Sequence, residues 1–440
     1  MIDRIVFFQP RTFAGRNYKN ADGQEQTWTP WFAILLGAVA RRAGFKTALI
    51  DARTDSNWMT RVSELGDTDI LAASVITGNS ITDALVSSRI AKRNGARVIW
   101  GGPHVSLFPS ETLNEAPVDA VIPGFGVFAF SELVTVLASG KWPHDTPKIL
   151  LPTQVTLHSL APQQHSEIET AFALDLISSW EQYTNADSAI ADRTISLITS
   201  EGCVRRCTYC SEPRTSFGYW LTYDVRAMVT LARQLCDVSG ANGLKLHDPN
   251  FFADLERARL FAVGLSKSVG APWAATMHPA DLFVLSDTQL RELADNGLTR
   301  VLVGLESPDP QLVRLAGKQY DPAQIPALVE KLANARIRGM FTFIVGWPGA
   351  DAGHYARTIK CARHIREVWS DHQAKIHFLE PWPGTPIFNL LARHGFQAPS
   401  SLEEWANIDY YQARYTAIHD AEQQQIIREA NKELSPYVDA

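Results

Sequence analysis

The sequence has few cysteines, no long apolar run and no excess of basic charge. Five cysteines among 440 residues are too few for a disulfide framework. The most apolar candidate for a membrane span, Trp31–Ala40, ends at Arg41 and Arg42 and is too short to cross a bilayer. Lys and Arg total 41 against 47 Asp and Glu, without a polybasic run, so we expect no nucleic-acid partner.

The N-terminus also lacks the pattern of a secretory signal, because charged residues precede its apolar residues and a strand-like pattern follows. We therefore expect a cytoplasmic protein. Hydrophobic residues make up 45% and charged residues 20%, which is typical of a globular chain and argues against long disorder. A chain of 440 residues exceeds one ordinary core, so two or three domains are expected.

Short runs rich in Val, Ile, Leu and Phe recur along residues 1–140, and helix-length segments separate them. Gly44 and Gly95 each follow a basic segment and precede such a run, as glycines at helix ends do. Continuous apolar strands joined by helices predict a parallel sheet covered on both faces, in a doubly wound, Rossmann-like α/β domain. The predicted strands are Arg4–Phe8, Thr47–Asp51, Asp69–Ser74, Arg97–Gly101 and Ala120–Ile122.

The second half of the chain begins with a change of composition. Residues 141–192 are rich in Pro, Gln, His and Thr, which predicts a surface linker with a helix near Ala173–Tyr183. Strand–helix alternation resumes in residues 193–395 and predicts a partial (β/α)6 barrel with its chemistry at the C-terminal strand ends. Residues 396–440 are polar and predicted to be helical. The predicted barrel strands are Thr194–Thr199, Gly243–His247, Pro272–Thr276, Arg300–Gly304, Gly339–Val345 and Ala374–Phe378.

Three cysteines lie directly after the first predicted barrel strand, in the spacing C-x3-C-x2-C: Cys203, Cys207 and Cys210. A structural zinc ion normally takes four protein ligands, yet Cys236 and Cys361 are distant in sequence. Three thiolates with an open position suit a [4Fe–4S] cluster whose remaining iron binds an exogenous group. The alternatives are a loop of reactive thiols or a zinc site completed from a distant part of the chain.

This cysteine loop resembles that of the radical S-adenosylmethionine (SAM) superfamily, in which SAM chelates the fourth iron through its amino and carboxylate groups. Reductive cleavage of SAM then yields a 5′-deoxyadenosyl radical. Further segments at predicted strand ends resemble the family's motifs: His247–Phe252, Gly304–Ser307, Gly346–Gly349 and Glu380–Pro386. The resemblance implies that SAM contacts come from Tyr209, Asp248, Asn250, Glu306, Ser307 and Gly346.

Two positions in these segments have open roles. His247 stands where the family usually has an acidic residue, so its role is not assigned. Asp248 has a structural alternative, because a carboxylate there would cap a helix that starts near Ala253.

The N-terminal half resembles the cobalamin-dependent branch of the same superfamily. The segments that carry the resemblance are Trp28–Gly37, Gly101–Ser106 and Asp119–Gly126, where Phe125 replaces the usual glutamate. No Asp-x-His-x-x-Gly motif is present, so no histidine is expected to bind cobalt. The alternative is a Rossmann-like domain that has lost its cofactor. The resemblance implies cobalamin contacts at Thr77, Gly78, Gly101, Gly102, His104, Gly124 and Gly126.

The two resemblances together imply a cobalamin-dependent radical SAM enzyme with a [4Fe–4S] cluster, SAM and cobalamin as cofactors. The favoured reaction is methylation of an unactivated carbon in a small metabolite, with an electron donor such as flavodoxin or ferredoxin. A non-methylating rearrangement or ring contraction, and a sensor without turnover, are the alternatives. The sequence indicates neither the substrate nor the oligomeric state.

Overall fold

The computed structural model describes residues 1–12, 18–19, 25–143, 149, 151, 172–393, 395–408 and 421–435. In these parts of the chain two parallel sheets follow each other, and helices connect their strands. No helix within them has the length and apolarity needed to cross a bilayer.

The first sheet is the one predicted for the N-terminal half. Its strands are β1 (Arg4–Gln9), β4 (Lys46–Asp51), β5 (Asp69–Ser74), β6 (Arg97–Gly101) and β7 (Ala120–Ile122), and β2 (Tyr18–Lys19) and β3 (Glu25–Gln26) form a separate antiparallel pair. The order β4-β1-β5-β6-β7 is parallel throughout. The helices are α1 (Trp31–Arg42), α2 (Trp58–Ser63), α3 (Ser80–Arg93), α4 (Pro103–Leu107), α5 (Pro109–Glu115) and α6 (Gly126–Ala138).

Strand β1 shows why a continuous apolar run forms the centre of this sheet. Ile5 and Phe7 pack into the core cluster on one face, and Val6 and Phe8 pack into the cluster on the other. Successive side chains of a strand point to opposite faces, so a strand buried on both sides needs apolar residues at every position. The prediction of a doubly wound domain is therefore confirmed.

The second sheet contains the six predicted parallel strands and one further strand. The strands are β8 (Asn185–Asp187), β9 (Ala191–Leu197), β12 (Gly243–Leu246), β13 (Trp273–Met277), β14 (Leu298–Glu306), β15 (Arg338–Val345) and β16 (Gln373–Phe378), and β10 (Ser200–Gly202) with β11 (Trp220–Thr222) forms a hairpin. The order is β16-β15-β14-β13-β12-β9-β8. Because β16 and β8 do not pair, the described sheet is an open, partial barrel, as predicted.

Helices follow most of the barrel strands. They are α7 (Glu212–Thr215), α8 (Val225–Ser239), α9 (Leu255–Ser268), α10 (Pro279–Val284), α11 (Asp287–Asp295), α12 (Pro310–Leu315), α13 (Ile325–Asn334), α14 (His354–Val368) and α15 (Pro386–Arg393). The C-terminal region adds α16 (Leu402–Trp405) and α17 (Ala421–Leu434), in agreement with the predicted helical character. The aromatic residues Tyr410, Tyr411 and Tyr415 of that region lie outside the described residues.

The segment between the two sheets differs from the prediction. Ala173–Tyr183 forms no α-helix but two short 3₁₀ turns, Leu174–Leu176 and Trp180–Tyr183, separated by extended backbone. Tertiary contacts explain the difference, because Ile177 and Tyr183 are buried in the core and the Tyr183 hydroxyl donates to Asp51 at 2.8 Å. Strand β8 was likewise not predicted, and it pairs antiparallel with β9. Residues 144–148, 150 and 152–171 of this segment lie outside the described residues.

Helix α17 covers the outer edge of strand β16. The Asn431 side chain accepts from the Ile376 N–H and donates to the Ile376 carbonyl, both at 2.8 Å. The Ser435 hydroxyl donates to the Ala374 carbonyl at 2.8 Å. Unpaired backbone groups at a sheet edge invite pairing with another chain, so these contacts protect the open side of the barrel.

Three charged side chains form an ion cluster inside the barrel. Asp187 accepts from both terminal guanidinium nitrogens of Arg300 at 3.0 Å and from Lys245 Nζ at 2.9 Å. Burial alone would raise the pKa of Asp187, but the charges of Arg300 and Lys245 outweigh it and lower that pKa. The carboxylate therefore ties the unpredicted strand β8 to strands β12 and β14.

We expect Asp187→Asn to destabilise the fold by about 3–5 kcal/mol, because two buried cations lose their counter-ion. Urea unfolding at pH 7 would measure it. Since the pKa of Asp187 is lowered, its contribution is present above the unfolded-state pKa and lost as pH falls through the folded-state value. The wild-type and variant unfolding midpoints should therefore converge in acid.

Asp175→Asn is the matched control, because Asp175 pairs with Arg41 at the surface with 71% of its side chain exposed. An exposed pair contributes about 0–1 kcal/mol. An Asp187→Asn loss no larger than that of the control would contradict the assignment.

Candidate functional site

The cysteine loop is held between the hairpin β10–β11 and helix α12. Gly202 has φ of +80°, and a Cβ atom there would collide with the Tyr219 carbonyl, so the turn into the loop requires glycine. The Thr208 N–H donates to the Ala316 carbonyl at 3.0 Å, and the Thr208 hydroxyl donates to the Leu315 carbonyl at 2.6 Å. The loop therefore has a fixed backbone around its thiols.

The three thiols of the loop lie at one common cavity. Cys203, Cys207 and Cys210 all line one cavity at the C-terminal end of the barrel strands. Burial raises the pKa of each thiol, to about 12 for Cys210. A thiolate is the form that binds metals, and bound cations compensate the cost of burying it. These residues fit the ligand set of a [4Fe–4S] cluster, in which each thiolate binds its own iron.

The cavity beside the thiols, here called the barrel cavity, has a volume of about 410 Å³. Within the described part of the chain no three His, Cys, Asp or Glu side chains are grouped to hold a single metal ion. Polar side chains that line this cavity include Arg205, Asn250, His278, Glu306, Lys318 and His377.

Glu306 connects the cysteine loop to strand β14. Its carboxylate accepts from the Tyr209 hydroxyl at 2.5 Å and from Lys318 Nζ at 3.0 Å. Its φ of +66° is a conformation that residues other than glycine rarely adopt, and the strand register shifts between Gly304 and Glu306. This strained backbone aims the carboxylate at the cavity. Lys318 was not singled out in the sequence, where it follows a short helix with no motif.

Four further residues were expected to contact SAM, and they differ in whether they line the barrel cavity. Asn250 lines the barrel cavity, whereas Asp248, Ser307 and Gly346 are not among the described residues that line it. The Ser307 hydroxyl accepts from the Asp309 N–H at 3.1 Å, in a local turn. Gly346 has φ of +85° directly after strand β15, a backbone conformation that favours glycine. The turn therefore explains the glycine at this position.

The expected contact between Asp248 and SAM is not supported by its position. Asp248 is fully buried, and its carboxylate accepts from the Thr199 N–H at 2.8 Å, the Thr199 hydroxyl at 2.6 Å and the Ser200 hydroxyl at 2.5 Å. These bonds tie the end of β12 to the segment that leads into the cysteine loop. The helix-cap alternative is wrong as well, because Asp254 caps α9 through the Arg257 N–H.

A second cavity, here called the inter-sheet cavity, lies between the C-terminal ends of the two sheets and has a volume of about 380 Å³. The first domain contributes glycine backbone and apolar side chains, and the barrel contributes polar groups. Its described lining includes Trp31, Phe32, Leu35, Gly101, Gly102, Gly124, Phe125, Gly126 and Phe130 from the first domain, and Ser200, Glu201, Glu212, Tyr223, His247 and Pro249 from the barrel. Apolar walls with glycine edges fit a large, flat cofactor such as cobalamin.

Two of the described residues line both cavities, and one of these is an acid with a second acid nearby. Glu212 and Pro249 border the barrel cavity and the inter-sheet cavity alike. Burial, and then the charge of Glu201, raise the pKa of Glu212 to about 7. Glu201 accepts a hydrogen bond from the Tyr223 hydroxyl. The sequence contains no motif that identifies these two acids, although both lie within two positions of a motif cysteine.

Three residues expected to contact cobalamin are not among the described lining residues of the inter-sheet cavity: Thr77, Gly78 and His104. At Gly78 the C-terminal region explains this, because a Cβ atom there would meet the Ile408 carbonyl at 2.8 Å. His104 is fully buried, with its Nδ1 3.1 Å from the Thr77 hydroxyl. Burial lowers the pKa of His104 to about 4, so its ring is neutral.

The histidine that does reach the inter-sheet cavity is His247, whose role the sequence left open. Its ring lies against Trp28, with centroids 5.5 Å apart. The ring is accessible from the cavity, and the protein around it, followed by the charges of Lys245 and Arg300, lowers the pKa of His247. A neutral imidazole thus stands at the end of β12 in the position where the resembling family has an acid.

We expect Cys203→Ala, Cys207→Ala and Cys210→Ala each to abolish iron–sulfur binding after anaerobic reconstitution, because each removes one thiolate of the loop. Iron and sulfide analysis would measure it. Cys236→Ala and Cys361→Ala are the controls, because these cysteines lie on helices α8 and α14 and pack against the apolar core. Near-wild-type iron in Cys207→Ala would contradict the assignment.

Comparisons with known proteins match both halves of the chain. Residues 197–362 match the family model of the radical SAM superfamily, and residues 25–134 match that of the B12 binding domain. An uncharacterized methyltransferase of Pyrococcus horikoshii is 22% identical over 356 residues, which cover 78% of this chain and 73% of the relative. Cytidylyl-2-hydroxyethylphosphonate methyltransferase of Streptomyces wedmorensis is 24% identical, over 68% of this chain and 61% of that protein.

Solved structures with the same overall fold include two cobalamin-containing enzymes. The radical SAM methyltransferase TsrM from Kitasatospora setae, solved with cobalamin and a [4Fe–4S] cluster, superimposes with a TM-score of 0.69 at 15% identity, over 90% of this chain and 78% of that one. The cobalamin-dependent SAM radical enzyme OxsB, solved with aqua-cobalamin and SAM, gives 0.63 at 13% identity, over 90% of this chain and 56% of that one. The chain is therefore a cobalamin-dependent member of the radical SAM superfamily, with its B12-binding domain ahead of the radical SAM barrel.

Proposed function

We propose that this protein is a radical SAM methyltransferase that transfers a methyl group to a carbon atom of a small molecule. One observation carries the proposal: the barrel cavity and the inter-sheet cavity share Glu212 and Pro249 as walls. Ligands in the two cavities would therefore meet at this junction. The methyltransferase names of both relatives, and of TsrM, support the reaction type.

The cofactors supply the chemistry, and the chain supplies their positions. When bound, cluster and SAM provide a 5′-deoxyadenosyl radical and a methyl group, and cobalamin provides a carrier for that methyl group. Cys203, Cys207 and Cys210 would hold the cluster. The glycine edges and aromatic walls of the inter-sheet cavity would hold the corrin ring, with the barrel side left for the substrate.

The chain's own residues would orient the substrate and exclude water at the junction. Neutral His247 offers a hydrogen-bonding imidazole without a charge, and the Glu201–Tyr223 pair offers fixed polar atoms. Reactive radicals are quenched by solvent and side reactions, so a closed cavity with few mobile polar groups favours productive transfer. TsrM has been solved with tryptophan as substrate, which supports a small-molecule substrate here.

We also propose that a small electron-transfer protein such as flavodoxin or ferredoxin reduces the cluster. Val204 is 50% exposed, and Arg206 beside it is exposed as well. Both lie between Cys203 and Cys207, so the outer side of the loop presents an apolar and a basic group. A donor could approach the thiols from this side.

With the true substrate, reductant and labelled SAM under anaerobic conditions, S-adenosylhomocysteine and 5′-deoxyadenosine should form in near equal amounts together with methylated product. The physical reason is that one methyl transfer and one radical formation serve each turnover. Mass spectrometry would measure all three compounds. Cys210→Ala should stop deoxyadenosine formation, and Cys361→Ala should leave it unchanged.

Two outcomes would contradict this proposal. Deoxyadenosine and altered substrate without S-adenosylhomocysteine would establish a non-methylating reaction instead. No SAM cleavage by reduced, cobalamin-loaded protein with any candidate substrate would favour a sensor.

A separate prediction concerns cobalt. Cob(II)alamin bound to the protein should show no protein-histidine hyperfine splitting in its electron paramagnetic resonance spectrum, because buried His104 is bonded to Thr77 outside the cavity lining. His104→Ala should leave the spectrum unchanged. Nitrogen splitting that disappears in His104→Ala or His247→Phe would identify a histidine ligand and contradict the prediction.

A further inference from the structure

His278 carries a hydrogen-bond donor that the protein itself does not use. It follows strand β13 and is the N-cap of helix α10, where its Nδ1 accepts from the Ala280 N–H at 3.1 Å. The residue is 6% exposed, and its side chain lines the barrel cavity. Its Nε2 has no hydrogen-bond partner among the described residues.

The bond to Ala280 decides where the proton of the ring lies. Since Nδ1 accepts a hydrogen bond, it carries no proton, and a neutral ring must then hold its proton on Nε2. Burial, followed by the charges of Lys318 and Arg205, lowers the pKa of His278 to about 2, so the ring is neutral. His278 therefore presents an Nε2–H donor to the cavity.

A chain of buried contacts fixes this donor relative to the cysteine loop. The His278 N–H donates to Asn250 Oδ1 at 3.2 Å, and Asn250 Nδ2 donates to Asp281 Oδ2 at 2.8 Å. Asp281 pairs in turn with Arg205, which lies between Cys203 and Cys207. The imidazole is thus oriented by the same network that holds the loop.

Helix capping alone does not explain a histidine at this position. Ser, Thr, Asp and Asn cap helices well, and none of them reaches as far into the cavity as an imidazole. An unsatisfied buried donor costs free energy, which a bound acceptor would recover. A hydrogen-bond acceptor on a ligand in the barrel cavity would satisfy this donor.

We propose that His278 is a positioning residue for SAM and donates a hydrogen bond from Nε2–H to an acceptor atom of the bound molecule. The inference rests on the proposed function, because it takes SAM as the occupant of the barrel cavity. Lys318 and Arg205 line the same cavity, so this side of it suits the electron-rich oxygen atoms of SAM. His278 fixes SAM against the cluster without adding a charge.

Two substitutions distinguish the loss of the Nε2–H donor from the loss of the acceptor that caps helix α10. In His278→Asn the amide oxygen can replace Nδ1 as the cap acceptor, but no donor stands where Nε2–H was. In His278→Gln the amide nitrogen can replace Nε2–H, but the cap acceptor is lost. The experiment measures the dissociation constant of SAM by equilibrium dialysis on cluster-reconstituted protein without substrate, and the melting temperature without SAM.

We expect His278→Asn to melt close to the wild type and to bind SAM about tenfold more weakly, as loss of one buried hydrogen bond predicts. His278→Gln should melt at a lower temperature and bind SAM within about threefold of the wild type. Wild-type affinity in His278→Asn would overturn the inference, and so would equal weakening in both variants.

The result for His278 and the result for the proposed function can be told apart. SAM binding is measured without turnover, so a weakened His278→Asn supports the inference even if the product is not methylated. Wild-type protein that methylates its substrate while His278→Asn binds SAM normally overturns the inference alone. Wild-type protein that binds no SAM overturns both.

Discussion

The site depends on the contact that holds the C-terminal edges of the two parallel sheets against each other. One continuous apolar cluster runs from the first domain into the barrel and includes Ile5 and Phe7 of the first domain and Ile195 and Leu197 of the barrel. Thr29 adds a buried polar contact, because its N–H donates to the Ser196 hydroxyl at 3.0 Å. Ligands of a parallel sheet bind at these edges, so facing edges bring two ligand sites together.

The same contact explains why glycine is needed where the two domains meet. A side chain at Gly124 would collide with the ring of Phe217, a residue of the barrel domain. Gly124 has φ of +76°, and Phe217 itself has φ of +53°. Glycine here serves the close approach of the domains as well as the lining of the inter-sheet cavity, since both requirements exclude a Cβ atom.

Charge inside the barrel is arranged in two levels. The Asp187, Lys245 and Arg300 cluster lies within the barrel, and Glu306 with Lys318 lies at the strand ends beside the thiols. Arg300 and Glu306 are both on β14, and Glu306 lines the barrel cavity although the register of the strand shifts just before it. Ion pairing lets the concave face hold charges, which would otherwise be too costly to bury.

Much of the fold and the cysteine loop could be predicted because the signals are local. Buried strands show as apolar runs, and ligands that lie on one short loop keep their spacing in the sequence. The carboxylate of Asp248 could not be placed in this way. Its sequence neighbours are typical of a ligand contact, yet the carboxylate accepts hydrogen bonds from Thr199, just after β9, and is not among the described residues that line the cavity.

The sequence by itself determined the two α/β domains, the order of their strands along the chain and the three thiols, since each is written in contiguous residues. The tertiary structure alone decided which side chains meet at the junction. Lys318, His278 and Glu212 come from different barrel segments and share no motif, and Gly78 lies against the Ile408 carbonyl of the distant C-terminal region. Such contacts depend on how the domains pack. A local sequence pattern does not indicate which segments far apart in the chain come into contact.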